Sequence, residues 1–278
     1  MIKTILVVLD GQSPQHASID LALQWSTEFD ALLVGFGVID EAAVHPPEAV
    51  PVGAGLAKAE LDAARLHEQQ QAIERCLSAV ALRCANEHVA FKPLERMGQP
   101  AEEIAIEAQR FDLIVMRRFA NDESETTQQN LSKPLSTILH ATPRPVVAVS
   151  KELPQDDAVV VAFDGSLQAA RTLQLFAASG LAAKRPIHVV SVDDDHVEAA
   201  RRGDRALEFL AHHDVHGTLH AKTRTANPSQ HIMELASELN AGLLVMGAYG
   251  QPRIREFILG SVTRTVLEEC STPIFLYH

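Results

Sequence analysis

Residues 243–265 read LLVMGAYGQPRIREFILGSVTRT, and the order of residue types along them decides the fold. Leu243–Met246 is an apolar run with the length of a short buried strand. It stops at Gly247. Gly250 follows after two residues and Gly260 after nine more, with Ser261 adjoining. Val262, Val266 and Leu267 then recur at helical spacing through Cys270. The pattern is strand, glycine-punctuated loop, helix start. In an α/β sheet such a loop lies at the carboxyl edge of the strands, where ligands bind. Glycines let backbone N–H groups approach an anion closely, and a helix N-terminus adds partial positive charge. Arg253 and Arg255 place two cations in the loop. A phosphate cradle is one reading. A tight turn that needs its glycines only for their φ angles is the other.

The chain before this stretch alternates strand and helix. Ile2–Leu9 is an apolar run ending in Asp10-Gly11, as a strand buried on both faces would be. Ser13-Pro14 predicts a helix start, a cap residue followed by a first-turn proline. Ala31–Val38 predicts the second strand, Asp40–Gly55 an irregular loop, and Ala57–Glu87 a long helix. Phe91–Met97 is a strand, Gly98-Gln99-Pro100 opens a helix, and Asp112–Met116 is a strand. A polar loop over Arg117–Asn130, a helix over Leu131–His140 and a fifth strand over Pro145–Val149 follow. Strict alternation implies a parallel sheet with helices on both faces.

Lys151–Asp157 reads as a linker, after which the pattern restarts. Val159–Phe163 ends in Asp164-Gly165-Ser166, echoing Leu9-Asp10-Gly11. Pro186–Val192 echoes the second strand, Ala226-Asn227-Pro228 echoes Gly98-Gln99-Pro100, and Val245-Met246 echoes Val115-Met116. Thr272-Pro273 echoes Thr142-Pro143. The last two pairs share an offset of 130 and the Asp10/Asp164 pair an offset of 154, so the first repeat carries about 24 extra residues between its first and fourth strands. Two domains are expected, over residues 1–150 and 158–278.

Gly247-x2-Gly250-x9-Gly260-Ser261 resembles the nucleotide-binding signature of the universal stress protein family, and the resemblance extends over nearly the whole chain. It implies two tandem Rossmann-like domains of the adenine nucleotide alpha hydrolase-like type, each a five-stranded parallel sheet with helices on both faces. It also implies an ATP ligand, with Mg²⁺ accompanying the phosphates. In that family Asp164 corresponds to a residue that contacts the adenosine part, and Val192 to a position whose backbone reads adenine. Met246, Gly247, Gly250, Arg253, Gly260, Ser261, Val262 and Thr263 would hold ribose and phosphates, Ser261 also capping the helix. Single-domain members pair through the last strand. A tandem chain therefore looks like such a dimer fused into one polypeptide, with Pro145–Val149 docked on Pro273–Tyr277 and further homodimerisation left open.

The first repeat departs from the signature. Aligned without gaps, Arg117 stands at Gly247, Ala120 at Gly250, Asn130 at Gly260 and Leu131 at Ser261, and Asp122, Glu123 and Glu125 enter the loop. Arginine lacks the backbone freedom of glycine, and three carboxylates repel a polyphosphate. The first domain is expected not to hold ATP. Asp10 survives, either as the remnant of an adenosine pocket or as a helix cap.

The net charge of −12 argues against nonspecific nucleic-acid binding and against anionic membrane surfaces. Nothing at the start of the chain resembles a signal peptide and no apolar stretch reaches membrane-spanning length, so a cytoplasmic protein is expected. Cys76, Cys84 and Cys270 have no ligand-like spacing and read as reduced core thiols. His212 and His216 have helical spacing, but surface histidines around a helix end account for them, and no metal site is expected. Asp193-Asp194-Asp195 suits the start of a short helix. No Walker lysine, cysteine–histidine pair or paired carboxylates stand out, so at most slow ATP hydrolysis is expected. An ATP-binding stress-response or signalling protein is the leading reading. A nucleotide hydrolase or nucleotidyl-transferring enzyme on the same fold is one alternative; a scaffold for a protein or an apolar ligand, offered by the loop His45–Gly55, is another.

Overall fold

The computed structural model describes residues 1–11, 13, 15–47, 53–118, 132–248 and 260–278. The first repeat runs β1 (Thr4–Leu9), α1 (Ala17–Phe29), β2 (Leu32–Asp40), α2 (Glu41–Val44), α3 (Gly55–Asn86), β3 (Phe91–Gly98), α4 (Pro100–Ala108), β4 (Leu113–Arg117), α5 (Ser132–Ala141) and β5 (Val146–Val149). The second runs β6 (Val159–Ala162), α6 (Leu167–Ser179), β7 (Ile187–Asp193), α7 (His196–Ala211), β8 (Gly217–Thr223), α8 (Pro228–Glu238), β9 (Leu243–Gly247), α9 (Ser261–Glu269) and β10 (Ile274–Tyr277).

The strands form one sheet in the order β3-β2-β1-β4-β5-β10-β9-β6-β7-β8. Pairing within each half is parallel throughout, and the halves meet where β10 lies antiparallel to β5, with Ile274 opposite Ala148 and Leu276 opposite Val146. The expected docking of the last strands is therefore what joins the repeats, and the two five-stranded sheets are one ten-stranded sheet. All four β5 residues are fully buried, as are Ile274, Phe275 and Leu276. Central parallel strands are covered on both sides, so their sequences run almost unbroken in apolar residues.

One face of the sheet packs Ile19, Leu23 and Trp25 of α1, Ile73, Leu77 and Val80 of α3, and Leu173 and Phe176 of α6 into a single core. The other face packs Ile104, Ile138, Leu139, Ile232, Leu235, Val266 and Leu267 from α4, α5, α8 and α9. Both cores cross the seam. Contacts around it reinforce the joint: the Met1 ammonium donates to the Ala178 carbonyl at 2.8 Å, Arg185 pairs with Glu28 at 2.5 Å, and the Ser150 hydroxyl bonds the Ser271 carbonyl.

The registers display the internal repeat. Ile5 lies opposite Leu113 and Val159 opposite Leu243, so first and fourth strands are paired identically in both halves. Helix α3 has 32 residues against 16 in its counterpart α7, and this holds most of the extra length. Between the fourth strand and the helix after it the repeats slip by two residues: Ile138 and Leu139 are buried in the places of Val266 and Leu267, and Pro145, not Pro143, matches Pro273. The gapless match of Asn130 to Gly260 and Leu131 to Ser261 is therefore corrected by two positions. Ile114 thus pairs with Val146, whereas Leu244 pairs with Ile274.

Three local expectations are corrected. The stretch from Asp40 is not wholly irregular: the Asp40 carboxylate accepts from the backbone N–H groups of Ala42 and Ala43 and caps the short helix α2. Residues 48–52 of that stretch lie outside the described residues. Helix α9 is not capped by Ser261; Gly260 is its N-cap, with no side-chain hydrogen bond there. Helix α1 begins at Ala17, with His16 as N-cap, not at Ser13-Pro14. Its counterpart α6 does begin one residue after its serine cap, Ser166. The two helices have the same 13 residues and bury matching positions, Ile19, Ala22, Leu23 and Ser26 against Ala169, Thr172, Leu173 and Phe176, so the first repeat carries four extra residues between its first strand and an equivalent helix. A Cβ on Gly247 would stand 2.9 Å from the Ala169 nitrogen and 3.0 Å from the Gln168 carbonyl carbon, so the first turn of α6 rests directly on that glycine. The first repeat has Arg117 at that position.

Candidate functional site

Strand order reverses between β9 and β6, because β6 leads outward to β7 on one side and β9 lies on the other. A crevice opens at the carboxyl end of such a junction, where ligands of doubly wound sheets bind. Three segments meet there. Asp164 follows β6; its exposed carboxylate accepts from the Ser166 N–H at 2.9 Å and shapes a turn in which Gly165 takes φ +77°. Ser166 caps α6 through the Ala169 N–H at 3.1 Å. Gly247 closes β9, and the first turn of α9 is tied to it: the Thr263 hydroxyl donates to the Gly247 carbonyl at 3.2 Å. Because Gly260 lends no side chain to the cap, the N–H groups that open α9 have no side-chain acceptor among the described residues, which is the donor set an anion needs.

The other expected residues sit nearby with differing roles. Val192 is half-buried near the end of β7. Met246 is buried in the core beside Leu276, so only its main chain faces the crevice. Ser261 is exposed, Val262 is half-buried, and Thr263 is buried and already bonded. Gly250 and Arg253 lie outside the described residues. Gly247 is where it was expected, but the neighbour that demands a glycine there is helix α6.

Sequence reading missed Arg202. From within α7 its side chain passes beside Gly165, and its Nη1 donates to Asp193 Oδ2 at 2.6 Å. The Asp195 N–H, followed by the guanidiniums of Arg202 and Arg224, holds the Asp193 carboxyl below its usual range. No motif signals Arg202, because helical arginines are common and the contact depends on how α7 crosses the sheet.

The corresponding corner of the first repeat is filled from within. Arg117 reaches back over the strand ends, and its Nη1 bonds Asp10 Oδ2 at 3.2 Å, both side chains largely buried. Asp10 is thus the partner of an arginine and not the cap of α1. Beside the pair, His16 accepts from the Ser18 N–H at 3.0 Å; burial, then Arg117, lowers its pKa. Helix α3 closes the top, with Ala72 and Ile73 against Gly11.

Among the described residues no group of three histidine, cysteine, aspartate or glutamate side chains could hold a metal ion. His188 and His220 bond each other at 3.0 Å on neighbouring strands. All three cysteines are free and buried. No described helix is long and apolar enough to cross a membrane.

The sequence model of the universal stress protein family matches residues 1–150 and again 157–278. The chain belongs to the universal stress protein family. The second match ends the chain with the β9–α9 crevice inside it, and the first includes the arginine-filled corner. A universal stress protein of Synechocystis is 26% identical over 173 residues, 60% of this chain and 58% of that protein. The match therefore spans under two thirds of that relative's length. The crystal structure of a universal stress protein from Archaeoglobus fulgidus superposes with a TM-score of 0.72 at 19% identity, covering 99% of this chain and 97% of that one. A protein from Pseudomonas aeruginosa gives 0.61 at 15% identity over 99% and 92%. Likeness at these identities establishes the tandem fold.

Proposed function

We propose that this universal stress protein binds one adenine nucleotide, ATP with its Mg²⁺, at the β6–β9 crevice, and serves as a cytoplasmic stress-response or signalling module. The domains are 1–150 and 158–278, and only the second holds nucleotide. The observation that carries the reading is the contrast between two corners of one repeated fold. In the second repeat an exposed aspartate and an uncapped helix N-terminus face a crevice; in the first the same corner holds an Arg117–Asp10 ion pair. On this reading the first three N–H groups of α9 take phosphate oxygens, as the sequence signature that includes Gly250 and Arg253 implies, and Asp164 and the Val192 main chain take the nucleoside. Free buried thiols suit a reducing compartment. The sheet seam makes the chain its own pseudo-dimer.

Titration calorimetry of Mg·ATP into the intact protein tests this. One site per chain is expected, lost in Gly260→Glu, which sets a carboxylate at the mouth of α9. Gly260 has φ −54°, open to any residue, so that variant folds without backbone strain. Two sites per chain would refute the asymmetry. No binding would refute the reading and favour a scaffold for another ligand.

A further inference from the structure

We infer that Arg202 is a ligand-contacting residue that reads the nucleoside half of the bound nucleotide. The inference rests on the nucleotide reading of the same crevice. Three observations converge on it. First, its stem lies against the turn after β6: the Arg202 Cγ and Cδ stand 3.5 Å from where a Cβ on Gly165 would be. Second, its far end is fixed at the end of β7 by the 2.6 Å bond to Asp193. The side chain therefore bridges the turn after β6 and the end of β7, from Gly165 to Asp193. Third, the repeat offers an internal comparison. The equivalent glycine, Gly11, meets Ala72 and Ile73, two apolar side chains from α3, at the corner that its own ion pair fills.

The chemistry fits a nucleoside. A guanidinium carries five N–H donors and no acceptor, and one donor is spent on Asp193. The side chain keeps 32% of its exposure, and no other protein acceptor for it is found among the described residues. A carboxylate-anchored guanidinium is held in place before the ligand arrives, so little side-chain freedom is lost on contact. Its planar face suits a purine ring, and its remaining N–H groups suit ring nitrogens or ribose oxygens. The charge is largely neutralised by Asp193, which makes it a poor phosphate clamp and a good nucleoside contact.

The test compares ATP with adenosine in wild type, Arg202→Ala, Arg202→Lys and Gly260→Glu, by calorimetry, with thermal melts of each variant. Arg202→Ala is expected to weaken ATP and adenosine by the same factor, about tenfold, while Gly260→Glu weakens ATP and spares adenosine. Arg202→Lys keeps a cation for Asp193 but loses the planar group. It is expected to melt like wild type and to remain weak for both ligands. Full affinity in Arg202→Lys would overturn the inference in favour of a purely structural ion pair. Unchanged affinity in Arg202→Ala, with Gly260→Glu still weakening ATP, would overturn it and leave the nucleotide reading standing. A loss confined to ATP would overturn the assignment to the nucleoside half. Absence of wild-type binding to either ligand would overturn both.

Discussion

Gly247→Ala should destabilise the protein although its backbone can accommodate alanine. No left-handed φ is required at this position, so the substitution ought to gain about 0.4–1 kcal/mol by restricting the unfolded chain. Against that, the new methyl carbon would sit 2.9 Å from the Ala169 nitrogen, 3.0 Å from the Gln168 carbonyl carbon and 3.2 Å from the Gln168 Cβ. Two of these are main-chain atoms of the first turn of α6 and cannot swing aside. Overpacking of this kind costs about 1–3 kcal/mol. The net loss centres near ~1 kcal/mol, a fall in Tm of roughly 2–4 °C. Gly260→Ala is the control: at φ −54° its backbone accepts alanine without strain, so Tm should stay unchanged or rise slightly. Differential scanning calorimetry reads both. A Gly247→Ala protein as stable as wild type would refute the argument that α6 rests on the strand end. Gly247→Arg should go further, stripping amide-exchange protection from the first turn of α6. It is therefore a poor probe of ligand binding, because it perturbs the scaffold as well as the crevice.

Other outcomes follow from the same geometry. Arg117→Ala and Asp10→Asn should couple by about 1 kcal/mol in a double-mutant cycle read by chemical denaturation; additive effects would mean that the ion pair contributes nothing. His220 is held below its usual pKa by burial, then by His188 and Lys222, and His16 and His278 are also lowered, with burial the main cause. Each stays neutral in the fold while the unfolded chain takes up protons below about pH 6.5. Stability should therefore be complete above that pH and decline below it, and His220→Asn should flatten part of the slope of Tm against pH. An identical slope in the variant would refute the assignment. Burial and Glu87 push the Cys84 thiol up to about 11, so native protein at pH 8 should resist alkylation there until denaturant is added; rapid labelling would contradict its burial. Phe275→Ala removes a fully buried ring packed edge-on against Phe176 at 5.9 Å, in a core shared by both repeats. It should cost about 3–5 kcal/mol and shift one common unfolding transition; a shifted second-repeat transition beside an unmoved first would refute the shared core.

Much of this was legible from residue order alone. Apolar runs such as Leu243–Met246 mark strands, and Val245-Met246 echoing Val115-Met116 marks the repeat, because both signals are local. The uncharged last strands also declared their pairing, since an apolar edge must be covered. What escaped depends on distant neighbours. Ser13-Pro14 has the chemistry of a helix start, yet the helix opens at Ala17, where its apolar face meets the sheet. Asp10 has the appearance of a cap, but Arg117 claims it. Ser261 adjoins the helix start but lies one residue inside it. Arg202 becomes visible only when α7 is laid across β6 and β7. The glycine at 247 was read for a ligand, and the structure shows a second demand on it from a helix.

The antiparallel joint between β5 and β10 reverses direction at the middle of the sheet. Strands of the two halves therefore point their carboxyl ends toward opposite poles of the molecule. The crevice near Gly247 opens at one pole, and the Arg117–Asp10 corner under α3 lies at the other. Helix α3 stands over that corner with Ala72 and Ile73 and then runs back along β2 toward the start of β3. The two poles can be occupied simultaneously without collision. Strands β9, β10, β5 and β4 form one hydrogen-bonded route from one pole to the other. A chain built this way is a strut with two addresses, one at each end of its sheet.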